Sequence, residues 1–174
     1  MNKPSPTLLV VEDETELQKI IQEILEPEVP GIVCANNGAD ALDILNKNPS
    51  ICAILSDINM PKMSGLELLK DLRSRFNPIP FVVLTAYGNP QSMREAIQLN
   101  ATDFLDKPFS TEELIAVIKR AIEYGKEIQK IEKEIEEKYK NSSTENVEFL
   151  RRVKRTTLNM RAENSIYVKK VRQG

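Results

Sequence analysis

The sequence predicts an α/β fold in which five parallel strands form one doubly wound sheet, followed by a C-terminal helical extension. The first observation behind this prediction is that short apolar runs alternate with segments that have the period of amphipathic helices. The second is the unbroken hydrophobicity of Ile51–Ser56, which is typical of a central strand covered by helices on both faces. Right-handed crossovers between such strands distribute the helices over the two faces of the sheet.

Each element follows from a local pattern. The expected strands are Thr7–Val11, Ile32–Cys34, Ile51–Ser56, Phe81–Leu84 and Asp103–Asp106. The expected helices lie at about Glu14–Leu25, from Asn37 onward, at Gly65–Arg75, around Pro90–Gln98 and from Ser110 onward. Asn37 can cap the second helix with Asp40 three residues on, and Ser110 with Glu113 forms a capping box for the fifth.

The expected strand order is 2-1-3-4-5, the flavodoxin-like arrangement. In such sheets ligands bind beyond the carboxyl ends of the strands, at the point where the strand order reverses. Here that point lies between strands one and three, where Glu12, Asp13 and Asp57 are expected.

Polar side chains follow four of the apolar runs directly. Glu12 and Asp13 follow strand one, Asp57 follows strand three, Thr85 follows strand four, and Lys107 follows strand five. Because the tips of parallel strands lie on one edge, these carboxylates, the hydroxyl and the ammonium group should converge. The sequence therefore predicts a site for a divalent cation and a phosphoryl group.

The residue types at this edge suit Mg²⁺, which takes oxygen ligands from one or two carboxylates, from water and from a phosphate. Asp13 and Asp57 can supply direct ligands, the backbone carbonyl of Asn59 a third, and Glu12 a water-mediated contact.

An aspartate that attacks a phosphoryl group needs the charge on the phosphoryl oxygens to be neutralised. Lys107 can provide that positive charge, while Thr85 offers a hydroxyl and Ala86 a backbone N–H to the same group. Asp57 is then the expected phosphoacceptor.

Together these motifs resemble the receiver domain of two-component response regulators over about residues 5–124. The matching parts are Glu12-Asp13, the segment Asp57-Ile-Asn-Met-Pro-Lys-Met-Ser-Gly65, Thr85-Ala86 and Lys107-Pro108-Phe109. The resemblance implies a signalling switch, not an enzyme beyond the self-catalysed phosphorylation and dephosphorylation of Asp57. It also implies that a sensor histidine kinase or phosphotransfer protein supplies the phosphoryl group.

The resemblance further implies that Thr85 and Phe104 form the switch pair and that the Lys107–Pro108 peptide bond is cis. The face that responds would comprise helix four, strand five and helix five. By the same resemblance, Asn59 and Tyr87 occupy positions that tune autodephosphorylation.

The chain divides into an expected receiver domain at 1–124 and a charged extension at 125–174. Apolar residues continue the fifth helix at alternating spacings of three and four, through Ile128, Ile131 and Ile135, as in a coiled coil. A homodimeric coiled coil, a segment folded back on the same chain and a solvated helix are all open, and the homodimer is favoured. The helix is expected to break at Asn141–Thr144.

Charge differs between the two parts. Residues 1–124 hold 11 Lys and Arg against 18 Asp and Glu, whereas residues 125–174 hold 13 against 8. A dimeric basic tail that binds DNA is therefore the alternative function, although nucleic acid is not favoured because residues 145–174 are too few for a usual DNA-binding domain. A dedicated phosphohydrolase is rejected, because such an enzyme needs a second acid at the position of Asn59.

Composition excludes other classes of chemistry and location. The chain has no histidine, which removes imidazole catalysis and His-ligated zinc. Cys34 and Cys52 lie in apolar strands and are expected to be free thiols. No apolar stretch reaches the ~18 residues of a membrane span, so a cytoplasmic protein without membrane contact is expected.

Overall fold

The computed structural model describes residues 5–86 and 90–139. Its strands are β1 Thr7–Val11, β2 Gly31–Ala35, β3 Ile51–Asp57, β4 Phe81–Ala86 and β5 Asp103–Lys107. All pair in parallel in the order β2-β1-β3-β4-β5, which confirms the predicted sheet. Strands β3, β4 and β5 run one or two residues further than predicted, so Asp57, Thr85 and Lys107 belong to the strands themselves.

Five helices connect and follow the strands: α1 Thr15–Leu25, α2 Gly38–Lys47, α3 Gly65–Ser74, α4 Pro90–Gln98 and α5 Thr111–Lys138. The Asn37 side chain accepts the N–H of Asp40, and Ser110 forms the predicted capping box at the start of α5. A second capping box, Ser64 with Glu67, fixes the start of α3 close to the end of β3.

Two apolar layers cover the sheet. Alternate residues of β1 point to opposite faces, so Leu9 and Val11 pack under α2, α3 and α4, while Leu8 and Val10 pack under α1 and α5. Helices on both faces leave the carboxyl and amino edges of the sheet as the places where polar groups meet solvent.

Helix α5 does not end with the sheet but continues across its amino edge. Gly125 packs so closely on β3 that a Cβ atom there would lie 1.8 Å from the carbonyl oxygen of Cys52. One turn later the Gln129 side chain donates to the carbonyls of Pro49 and Ile51, at 3.3 and 3.2 Å. Ile128, between these contacts, is buried, so this part of the extension packs against its own domain.

The predicted boundary after residue 124 falls inside α5, and the two-domain division stays a prediction. The predicted break at Asn141–Thr144 and the basic tail lie outside the described residues.

The Lys107–Pro108 peptide bond is cis, as the resemblance implied. Among the helices of the described ranges, none is long and apolar enough to cross a membrane.

Candidate functional site

The side chain of Lys107 joins the ends of three strands at the carboxyl edge of the sheet. Its Nζ atom donates to Glu12 Oε2 at 2.9 Å and also to Asp57 Oδ2. The Asp57 side chain is 10% exposed, that of Lys107 18%, and that of Glu12 not at all. The structure thus brings together three of the predicted site residues, separated by up to 95 positions in the chain.

Glu12 is held without solvent contact at the end of β1. Its backbone N–H donates to the carbonyl of Ala35, and its Oε1 accepts the N–H of Glu14 at 3.3 Å. Burial raises the pKa of the Glu12 carboxyl above its ordinary value of 4.5, and the Lys107 ammonium group opposes that rise. Lys107 therefore offsets part of the cost of burying a charged carboxylate here.

The pKa of Lys107 is also raised, against the effect of burial, by its two carboxylate partners. Burial acts to lower this pKa, but hydrogen bonds and charge attraction from Asp57 and Glu12 outweigh it, so the pKa is raised above 10.5. Lys107 is accordingly a fixed cation at neutral pH.

Asp57 occupies the last position of β3, next to Glu12 in the sheet because Val11 pairs with Ser56. The backbone N–H of Asn59 donates to Asp57 Oδ1 at 2.8 Å. The two carboxylate oxygens therefore have different partners, the Asn59 N–H and the Lys107 ammonium. Gly65 makes this geometry possible, since a Cβ there would lie 2.0 Å from the carbonyl oxygen of Asp57.

Asp13 and Asn59 lie in the loops just beyond the strand tips, and both are exposed. Among the described residues, no ion pair or hydrogen bond connects the Asp13 carboxylate to Lys107. Within the same ranges no group of three or more His, Cys, Asp and Glu side chains has the geometry of a closed metal cage.

The donor set nevertheless fits Mg²⁺, which keeps several waters and takes only one or two protein carboxylates. The oxygens available are hard donors at a solvent-facing edge, and Lys107 shows that this edge accommodates a cation between Glu12 and Asp57.

Thr85 and Ala86 end β4 beside the three charged groups. Thr85 is buried, and its hydroxyl donates to the backbone carbonyl of Ala86 at 3.2 Å. Ala86 is exposed at the tip of the strand. Phe104, paired with Val83 across the sheet, is 3% exposed and packs in the layer under α2, α3 and α4. Tyr87 lies outside the described residues.

The sequence did not reveal one residue that shapes this edge, Gln18, or the role of a second, Gly65. Gln18 is a buried glutamine whose Nε2 donates to the carbonyls of Glu12 and Ala35, at 3.2 and 3.1 Å, and thereby ties α1 to β1 and β2. The sequence indicated Gln18 only as a polar residue directly after Leu17, within the apolar stripe of α1. Gly65 was recognised as part of a motif, but its close approach to Asp57 depends on the fold.

The chain is similar to known proteins that share this arrangement of residues. The family model described as "Response regulator receiver domain" matches residues 8–119. The chain is 41% identical over 112 residues to "Transcriptional regulatory protein CpxR homolog" of Haemophilus influenzae, covering 64% of this chain and 48% of that protein. It is 36% identical over 123 residues to "DNA-binding transcriptional regulator NtrC" of Escherichia coli, covering 69% of this chain and 25% of that protein.

Solved structures agree with these relatives. The receiver domain of NtrX from Brucella abortus aligns with a TM-score of 0.62 at 30% identity, covering 67% of this chain and 98% of that one. The Francisella response regulator 1452 receiver domain aligns with the same TM-score and identity, covering 68% of this chain and 97% of that one.

The chain spans about half the length of the curated CpxR relatives and a quarter of NtrC. The match therefore concerns the receiver part of those proteins. The activities that their names describe belong to the whole relatives. A receiver-type sheet, an acidic edge bridged by lysine and the match over 8–119 all agree. This chain belongs to the family of response regulator receiver domains.

Proposed function

We propose that this chain is the phosphorylation-dependent switch of a two-component system, in which Asp57 accepts a phosphoryl group with the help of Mg²⁺. The donor would be a phosphohistidine of a sensor histidine kinase or phosphotransfer protein. The observation that carries the proposal is the Lys107 ammonium group between the carboxylates of Glu12 and Asp57. A fixed cation beside a nearly buried carboxylate is what phosphoryl transfer to that carboxylate requires.

In the transfer, an Asp57 oxygen forms a bond to phosphorus while the bond from phosphorus to the donor imidazole nitrogen breaks. The electron pair of the broken bond stays on that nitrogen, and Asp57 becomes an acyl phosphate. Lys107 stabilises the negative charge on the phosphoryl oxygens. The Asn59 N–H keeps the remaining carboxylate oxygen in position, and the Thr85 hydroxyl and Ala86 N–H bind the transferred group.

Mg²⁺, when bound, supplies positive charge that neutralises the phosphoryl oxygens during an in-line displacement. The residues that would hold it are Asp13, Asp57, the backbone carbonyl of Asn59 and, through water, Glu12. Asp13 and Asn59 are exposed and so are accessible to an ion arriving from solvent.

We propose Thr85 and Phe104 as the switch pair. The Thr85 hydroxyl now donates to the Ala86 carbonyl, and a phosphoryl oxygen offers it a stronger, charged acceptor. Because Phe104 is already buried under α4, its part is to keep the space behind Thr85 filled as the hydroxyl moves. The change would spread through α4, β5 and α5, and from α5 into the extension.

Receiver domains of response regulators are signalling switches and not classical enzymes. The only reactions proposed for this chain are its own phosphorylation and dephosphorylation. Asn59 and Tyr87 would set the rate of the second reaction, which phosphate release from Tyr87→Ala would measure.

Labelling with acetyl phosphate tests the proposal. The full chain should incorporate phosphate at Asp57 when Mg²⁺ is present and lose this ability when the metal is chelated. Asp57→Ala should incorporate none, whereas Asp43→Ala, which removes an exposed carboxylate on α2, should be labelled normally. Full labelling of Asp57→Ala would refute the assignment.

The output we propose is control of partner binding or of homodimer formation through α5. This proposal is supported by the continuity of α5 from the β5 edge to Lys138 and by Ile131, which is only partly buried beyond the sheet. Molecular mass in solution, with and without the phosphoryl mimic beryllofluoride, should double for the full chain on activation. An unchanged mass would leave partner binding as the output.

DNA binding through a dimeric basic tail is the second candidate, favoured by the similarity of this chain to relatives named as transcriptional regulators. The tail at 145–174 has 8 Lys and Arg against 3 Asp and Glu, but it lies outside the described residues. A gel shift that shows no complex at about 50 mM salt, where contacts to phosphates are much stronger than at physiological salt, would eliminate this candidate.

A further inference from the structure

Arg73, on the last turn of α3, joins two segments of chain through backbone carbonyls. Its Nη1 donates to Asn77 at 2.7 Å and its Nη2 to Ile79 at 3.1 Å, both in the loop between α3 and β4. Its Nε donates to Leu99 at 3.2 Å and its Nη2 also to Asn100 at 3.1 Å, just after α4. None of the ion pairs within the described ranges involves Arg73.

The carbonyls from Leu99 and Asn100 belong to the C-terminal end of α4. That end closes in a Schellman motif, with the Ala101 N–H donating to Ala96 at 2.9 Å and the Asn100 N–H to Ile97 at 3.0 Å. Asn100 has the left-handed φ of 56° that the motif requires. Helix α3 closes in the same way with Phe76 at φ 55°, so the guanidinium group lies where two helix C-termini meet.

A cation at this place is favourable because helix C-termini carry partial negative charge and carbonyls without helical partners. Burial lowers the pKa of Arg73 to about 10, which still leaves the guanidinium charged at neutral pH. The planar fork of arginine can reach four carbonyls at fixed angles, which a single ammonium group cannot do.

The two ends of helix α4 are connected differently to the rest of the domain. Ala96 is fully buried and Ala101, just beyond the helix, is 5% exposed. Gln91, Arg94, Glu95 and Gln98 form an exposed face along the helix, while Met93 and Ile97 pack against the core. The N-terminal end follows the site strand β4 after three residues, whereas the C-terminal end continues into Thr102, whose N–H donates to the Phe81 carbonyl.

We infer that Arg73 is a positioning residue that anchors the C-terminal end of α4, so that α4 answers phosphorylation by moving its N-terminal end about a fixed point. This inference rests on the proposed function, since it concerns how the switch moves. The anchor restricts how the helix can move. A change at Thr85 reaches α4 at its N-terminal end, which follows β4, and becomes a rotation of the helix because Arg73 holds the other end. Without the anchor the same change would displace the whole helix.

Residue-by-residue amide exchange in the full chain, with and without Mg²⁺ and beryllofluoride, tests the anchor. In the unaltered chain the mimic should change exchange at Arg94 and leave the Schellman amides of Asn100 and Ala101 unaffected. In Arg73→Lys these two amides should exchange about tenfold faster, as expected for loss of a charged hydrogen bond. They should also now respond to the mimic, a change that lost stability alone does not produce.

Arg75→Lys is the matched control, because Arg75 lies on the same helix end but pairs with Asp71 at the surface. It should change the exchange of Asn100 and Ala101 by less than about twofold. If Arg73→Lys and Arg75→Lys change the amide exchange of Asn100 and Ala101 equally, the inference is overturned. A response to the mimic at Asn100 as large as at Arg94 in the unaltered chain, a measurement that needs no variant, would overturn it too.

Failure of the proposed function has a different signature. If the unaltered chain takes up no beryllofluoride at Asp57, the phosphorylation proposal fails. The exchange of Asn100 in unliganded Arg73→Lys, compared with Arg75→Lys, still decides whether Arg73 holds this end of α4.

Discussion

Replacing Gly125 by alanine tests how closely α5 is pressed against the sheet. Alanine is the better helix former, and in an isolated helix this change stabilises by about 1 kcal/mol. In the folded chain the new Cβ would meet the Cys52 carbonyl oxygen at 1.8 Å, more than an ångström inside the normal contact distance. The structure therefore predicts the opposite sign from helix propensity.

The magnitude follows from what α5 must give up when it moves away from β3. Overpacking of this kind costs about 1–3 kcal/mol. The two hydrogen bonds from Gln129 to Pro49 and Ile51, each contributing about 0.5–1.5 kcal/mol, are weakened as well. After the gain in helix propensity, the net loss in the free energy of unfolding is about 2 kcal/mol, or about 5 °C in Tm.

Urea and thermal unfolding of the full chain measure this loss. Glu127→Ala, at an exposed position two residues later, is the control and should change stability by less than about 0.5 kcal/mol. A Gly125→Ala chain that is as stable as its parent, or more stable, would mean that α5 does not lie against the Cys52 carbonyl.

Three further substitutions probe the carboxyl edge. Lys107→Met leaves the buried Glu12 carboxylate without its cation and should lower the free energy of unfolding by about 3 kcal/mol at neutral pH without metal. Burial raises the pKa of Glu12, so the folded chain binds a proton at this carboxyl more tightly than the unfolded chain, and the loss should shrink as pH falls toward 4.5. Urea unfolding at pH 5 and pH 7.5 measures this difference. Gly65→Ala, whose Cβ would lie 2.0 Å from the Asp57 carbonyl oxygen, should slow acetyl phosphate labelling at least about tenfold, and normal labelling would contradict the geometry. Gln18→Leu should destabilise by about 1–3 kcal/mol, because it removes the buried side-chain donor that bonds the carbonyls of Glu12 and Ala35, and a neutral effect in urea would contradict that role.

The predictions from sequence succeeded where local pattern determines structure. Apolar runs such as Ile51–Ser56 locate buried strands, and the polar residue that ends each run must then lie at the common carboxyl edge. For this reason Asp57 and Lys107, 50 positions apart, could be brought together without coordinates. The caps at Asn37 and Ser110 are equally local, since their acceptor and donor lie three residues apart.

What the sequence did not reveal depends on contacts between distant elements. The spacing of Ile128, Ile131 and Ile135 indicates an apolar stripe, but spacing alone does not identify the surface that covers it. Ile128 packs against its own domain, and the clue was Gly125, a residue that is unfavourable in a helix unless a neighbour comes very close. Arg73 gave no signal, because its acceptors are backbone carbonyls that any sequence could supply.

The two ion pairs of Lys107, to Glu12 and to Asp57, also affect how the protein folds after synthesis. Because Glu12 and Asp57 already share an internal counterion, the acidic edge needs no dissolved ion to become compact. Newly made chains should therefore reach their native shape in a magnesium-depleted medium. The residues that would hold magnesium would then already be in place when the ion arrives, which separates the supply of the ion from the yield of folded protein.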